Sequence, residues 1–149
     1  MTARLALLPL AALALGAGAP AQKSGATITV TVTELRNAKG LLRACMTPAE
    51  SDFPECKSAS GLHAASIDAQ RGKLTFTFHE VPAGRYAIAL LHDENANGKA
   101  DRALGMIPRE GFGFSRDAPV RMGPPRFRDA AFEFDGTEKA MTIRMRYLL

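Results

Sequence analysis

The sequence predicts an all-β fold, an antiparallel β-sandwich of about seven short strands. Three observations carry that prediction. Residues Thr27 to Thr33 alternate hydroxyl and β-branched apolar side chains with a period of two. Further short apolar or alternating runs follow, punctuated by Gly, Pro and Asn turns. Beyond residue 22 the chain yields strands and turns, with no helical periodicity.

The first strand places Ile28, Val30 and Val32 toward a core. Asn37 to Gly40 turns the chain into a second strand, Leu41 to Met46. Ala65 to Ala69 is a weak strand that Arg71-Gly72 turns into the alternating run Lys73 to His79. Val81-Pro82-Ala83-Gly84 then makes a turn, with proline presetting φ, before the apolar run Arg85 to Leu91. From Gly105 to Arg128 the chain reads as irregular, with Phe112 and Phe114 anchoring a close-packed turn onto the sandwich. Ala130 to Phe134 and Met141 to Tyr147 close the fold, the last with Met141, Ile143, Met145 and Tyr147 on one face.

Residues 1–21 read as a secretory signal peptide: Arg4, an apolar core from Leu5 to Leu15, and the small-residue cleavage site Ala19-Pro20-Ala21. The apolar stretch is too short to span a bilayer, and no other transmembrane candidate exists. Residues 22–149 are then one β-sandwich domain of an exported protein, periplasmic or extracellular. Two cysteines, Cys45 and Cys56, flank a loop with two prolines, and in an exported chain they predict a disulfide over two free thiols or a soft-metal pair. Closing such a loop stabilises by about 3 kcal/mol.

Residues 93–101, Asp-Glu-Asn-Ala-Asn-Gly-Lys-Ala-Asp, place oxygen-bearing side chains at alternate positions, then a glycine, then a last carboxylate. That pattern wraps a hard cation such as Ca²⁺. Asp93, Asn95 and Asn97 supply side-chain oxygens, Lys99 its main-chain carbonyl, and Asp101 the closing carboxylate, directly or through water. Gly98 makes the sharp turn, while Glu94 and Ala96 point away. Leu104 stands where a helix–loop–helix site has its bidentate glutamate, and Gly105 and Pro108 deny a following helix, so the loop joins strands. Glu110 is the nearest carboxylate that could complete the shell. The ligand count predicts weak affinity, roughly 10⁻⁴–10⁻³ M. The competing reading is a solvated Asn-Gly turn with no metal.

Leu90 to Lys99, followed by Gly105 to Ser115, resembles the signature of a bacterial secreted family catalogued as domain of unknown function 2141. Val81 to Ile88 and Pro125 to Ala130 fit the same pattern, and the likeness runs from about Ala26 to Tyr147. The resemblance implies an exported, immunoglobulin-like or transthyretin-like sandwich and brings no established activity. Ala96 stands where the family loop usually has glycine.

Other chemistry is sparse. His92 beside Asp93 and Glu94 suggests a hydrolase only by the clustering of titratable groups, and a histidine at a strand end is more often hydrogen-bonded structure. Ser115 lacks a nucleophile-elbow context, and Gly111 to Ser115 lacks the third glycine and helix of a phosphate loop. The net charge is +4, with Arg109, Arg116, Arg121, Arg126 and Arg128 crowded together. These are expected to pair with Glu110, Asp117 and Asp129 on a solvated loop; the alternative is a patch for anionic groups. So few interleaved aromatics exclude nucleic acid. The favoured function is a noncatalytic, calcium-stabilised exported domain that binds a partner protein or glycan at the cell envelope, against a purely structural envelope protein or a hydrolase.

Overall fold

The computed structural model describes residues 26–57 and 60–149. The expected signal peptide, residues 1–21, lies outside them. The chain is mostly β, with strands β1 (Thr27–Leu35), β2 (Leu41–Thr47), β3 (His63–Asp68), β4 (Gly72–Phe78), β5 (Gly84–Asp93), β6 (Arg102–Ala103), β7 (Ile107–Pro108), β8 (Gly111–Phe114), β9 (Phe132–Phe134) and β10 (Glu138–Arg144). One four-residue helix, α1 (Phe127–Ala130), precedes β9.

Two main sheets form. The first has the order β10-β1-β4, and the second runs β3-β2-β5-β8, with β9 also on β5. The ladders are antiparallel except for β1 with β10, which run parallel from Thr27↔Glu138 to Thr33↔Arg144. Alternation within a strand reports which face is buried and not which way its neighbour runs, so this pair was not legible in the pattern.

The β1 alternation does what period two requires. Ile28, Val30 and Val32 have no exposure. On the opposite face, the hydroxyls of Thr29 and Thr77 meet at 3.1 Å and those of Thr31 and Thr75 at 3.2 Å. Such cross-strand threonine pairs stabilise a sheet on its wet face. Inward residues of both sheets share one apolar cluster, including Val30, Leu74 and Ile143 from the first and Leu42, Met46 and Ile88 from the second. The face of β5 bearing Ala87 and Ala89 is covered by a second cluster with Phe112, Phe114 and Phe127.

The Cys45–Cys56 disulfide is present. The loop it closes places Phe53 against Phe114 and Phe127, with ring centroids 5.8 and 6.0 Å apart. The stretch expected to be irregular contains a core strand instead. β8 pairs with β5 through Ala89↔Phe114 and Leu91↔Phe112, and on its other side Phe112 bridges Arg146. Its inward positions are glycines because the C-terminal segment lies over them. A Cβ on Gly111 would fall 2.3 Å from the Tyr147 ring, and one on Gly113 3.0 Å from Ile143. Glycine at alternate positions erased the apolar alternation that marks a strand.

Because β8 and β9 share one edge of β5, a gap opens between them near Ile88. Ser115 fills it. Its Oγ accepts the Ile88 N–H at 2.9 Å and donates to the Ala130 carbonyl at 2.6 Å. The serine is fully buried and structural.

Candidate metal centre

β5 delivers His92 and Asp93 to the end of the sheet on opposite faces, as adjacent strand residues must be. His92 turns to the β1–β2 connection and the C-terminus. Its Nε2 lies 2.9 Å from the Lys39 carbonyl and its Nδ1 2.7 Å from the Tyr147 hydroxyl. A carbonyl only accepts, so Nε2 carries the proton, and Nδ1 accepts from Tyr147. With no exposure and both nitrogens engaged, His92 is hydrogen-bonded structure.

Asp93 has no exposure either. Register explains its partner: Leu41 faces Asp93 and Arg43 faces Leu91, so Arg43 and Asp93 are diagonal neighbours on one face. Arg43 Nε donates to Asp93 Oδ2 at 2.5 Å. The same carboxylate accepts the backbone N–H of Asn97 at 3.0 Å and of Gly98 at 2.9 Å. Burial works against its ionisation, but Arg43 and those two N–H groups outweigh it and hold the carboxyl below its ordinary range.

The loop then folds on its own polar side chains. Asn95 Oδ1 accepts from Asn97 N at 3.1 Å, and Asn97 Oδ1 from Lys99 N at 2.8 Å. Asp101 gathers both amides: Asn95 Nδ2 donates to it at 2.7 Å, and Asn97 Nδ2 at 3.0 and 3.1 Å. Gly98 turns the chain at φ +77°, and Ala96 sits at φ 55°. The predicted side chains Asp93, Asn95, Asn97 and Asp101 are therefore brought together, with Lys99 in the same turn.

Glu110 completes the arrangement from β8's leading edge. Only 4% exposed, its carboxylate accepts Glu94 N at 3.1 Å and Asp101 N at 3.2 Å, so one side chain ties both ends of the loop. Burial first, and then the nearby Asp101 and Asp93 charges, push its pKa up. Glu94 points away from the loop, into Arg36 and Asn37. Arg36 Nε and Nη2 donate to it at 2.8 and 2.5 Å, and Asn37 Nδ2 at 2.5 Å. The Arg36 hydrogen bond holds the Glu94 carboxyl down at about 2.

Sequence reasoning missed Arg36, Asn37, Gly40, Arg43 and Tyr147. Arg43 had a signal, a charge on the face opposite Leu42 and Ala44 within an otherwise apolar strand. Gly40 had one too, since a Cβ there would fall 2.0 Å from the Asp93 carbonyl. Among the described residues no three His, Cys, Asp or Glu side chains converge as a metal cluster, so a cation here would depend on amide and main-chain oxygens as well. Nor is any helix among them long and apolar enough to cross a membrane.

A family model described as an uncharacterized protein conserved in bacteria, domain of unknown function 2141, matches residues 30–142. No curated protein and no solved structure matches the chain. The match spans most of the sequence, and the chain belongs to this family.

Proposed function

We propose that this family member is an exported, noncatalytic immunoglobulin-like or transthyretin-like β-sandwich domain, stabilised by Ca²⁺ in the 93–101 loop, that binds a partner protein or glycan at the cell envelope. The observation that carries the metal reading is the convergence of Asp93, Asn95, Asn97 and Asp101 around the Gly98 turn, with Glu110 tying the loop ends.

The donor chemistry fits a hard cation. An ionised carboxylate has about four acceptor sites. Asp93 uses three on Arg43, Asn97 and Gly98, and Glu110 uses two on backbone N–H groups, so each retains capacity. The oxygens of Asn95 and Asn97 each accept one N–H and keep a lone pair. With the Lys99 carbonyl and Asp101, these residues would hold the ion. A bound Ca²⁺ supplies charge neutralisation and a cross-link between the two strand ends. The Cys45–Cys56 disulfide supports an oxidising, exported setting.

Thermal unfolding of the oxidised protein in millimolar Ca²⁺ against chelator, with Asp93→Ala beside the parent, tests this. A ligand at ten times its dissociation constant adds about 1.4 kcal/mol. That moves the midpoint by several degrees, and the shift vanishes in the variant. Equal midpoints in the parent overturn the metal.

One observation favours a purely structural turn instead. Arg43 already neutralises Asp93, and the loop closes on its own hydrogen bonds. On that reading the calcium shift is absent. A hydrolase using His92, Asp93 and Glu94 finds no support, because His92 faces away from Asp93 and Glu94 is committed to Arg36.

A further inference from the structure

Of the arginines of the 116–128 segment, Arg128 meets Asp129 as the sequence suggested, and the other three pair with no acid among the described residues. Glu110 accepts backbone N–H groups and meets no arginine among the described residues, and Asp117 Oδ1 accepts the Arg144 N–H at 2.9 Å. Arg128 Nε stands 3.8 Å from Asp129, and Arg116 Nη1 donates to the Ala131 carbonyl at 3.3 Å. The side chains of Arg121 and Arg126 make no hydrogen bond or ion pair among the described residues.

All four line a single concavity of about 690 Å³, in which Asp129 is the sole acid. Pro119, Pro124 and Pro125 form part of its wall. They fix the backbone, so the arginines project from a stiff frame. That frame is anchored at both ends, by buried Ala118 and by Phe127 in the second apolar cluster. Its backbone is also strained: Arg116, Asp117 and Met122 hold φ of 60°, 47° and 49°. Non-glycine residues persist in that region only where their surroundings impose it, and such positions gather at binding sites.

Four guanidinium groups around one hollow repel each other unless an anion lies between them. Each offers a planar donor fork matched to carboxylate or phosphate. The volume falls within the size range of small-ligand sites. We propose that the Arg116–Asp129 segment is a receptor for a small polyanion bearing phosphate or carboxylate groups. The site uses none of the loop's metal ligands and does not rest on the metal reading. It supplies the ligand chemistry that the envelope-binding role leaves open.

The test titrates the purified protein, in metal-free low-salt buffer, with pyrophosphate and with citrate by calorimetry. Saturable one-to-one binding is expected, weakened about tenfold or more in Arg121→Gln/Arg126→Gln, since two charge-assisted contacts are lost. Both side chains lack partners among the described residues, and an unchanged circular dichroism spectrum verifies that the variant is folded. Arg71→Gln, in the β3–β4 turn, leaves binding unchanged. A parallel arm sediments the protein with phosphatidylglycerol or phosphatidylcholine vesicles. Phosphatidylglycerol binding that pyrophosphate competes away supports the site with a lipid headgroup as the source. The proposal is overturned if neither anion binds saturably, if Arg71→Gln weakens binding as much as the double variant, or if vesicle binding is indifferent to pyrophosphate.

Discussion

Arg43 and Asp93 are joined across β2 and β5, Nε to Oδ2 at 2.5 Å, and the carboxylate in that pair has no exposure. The arginine therefore stands where a cation would act, on the first residue of the candidate loop. Replacing it with methionine leaves Asp93 with only its backbone partners, Asn97 and Gly98. In chelator Arg43→Met should cost about 2 kcal/mol, less than a fully buried pair because the arginine is partly exposed. In millimolar Ca²⁺ the gap between parent and variant should narrow, since the metal replaces the missing positive charge. Urea unfolding under both conditions measures it. An equal gap in calcium and in chelator means the ion does not reach Asp93.

Glu94 gives the acid side of the stability profile. Its carboxyl is held at about 2 against an ordinary value of 4.5, chiefly by Arg36. A depressed carboxylate stabilises the fold fully above the unfolded value and loses that contribution as pH falls through the folded one. Stability should therefore drop between pH 4.5 and about 2, with Glu94 accounting for about 2–3 kcal/mol. Asp93, also depressed, adds to the loss. Glu110 opposes it, because its raised pKa means that protonation relieves a buried charge. Denaturation midpoints at pH 6, 4 and 3 should show a shallower decline in Glu94→Gln than in the parent.

The parts legible in the sequence were those where one side chain's character decides its place. Thr27 to Thr33 could bury only Ile28, Val30 and Val32 together, and it does. The alternate oxygens from Asp93 to Asp101 marked the loop because Asp93, Asn95, Asn97 and Asp101 all bond to groups within a few positions of themselves. The disulfide followed from two cysteines in a chain expected to be exported. The missing parts depend on remote segments. β8 reads as irregular because Gly111 and Gly113 answer to Tyr147 and Ile143, more than 25 residues downstream. Arg36 reaches Glu94 from the β1–β2 connection, so neither announced the other. The arginines near Arg121 were expected to pair with Glu110, Asp117 and Asp129; Arg128 meets Asp129, while Glu110 and Asp117 accept backbone N–H groups instead.

Ala96 bears directly on how the loop is tuned. It adopts φ 55°, a left-handed conformation in which a Cβ meets the backbone. Ala96→Gly should therefore raise stability by about 1 kcal/mol, despite the greater freedom that glycine gives the unfolded chain. The gain should appear in chelator and in calcium alike, because the Ala96 side chain supplies no ligand atom. A loss of stability would show that the loop does not hold this conformation in solution.

Ser115 tests the core that carries the site. β5 is flanked by β8 at residues 89–92 and by β9 at residues 84–86, and Ile88 falls between those two ladders. Its N–H finds Ser115 Oγ at 2.9 Å, and the hydroxyl passes on to the Ala130 carbonyl at 2.6 Å. Ser115→Ala changes almost no volume but leaves a buried donor and a buried acceptor without their partner. That should cost about 1–3 kcal/mol, where an ordinary surface serine would stay within about 0.5 kcal/mol. Faster exchange of the Ile88 amide, read by deuterium uptake below the unfolding range, should accompany the loss. Unchanged stability and exchange would mean that water enters between β8 and β9, and that the edge supporting the 93–101 loop is looser than this geometry requires.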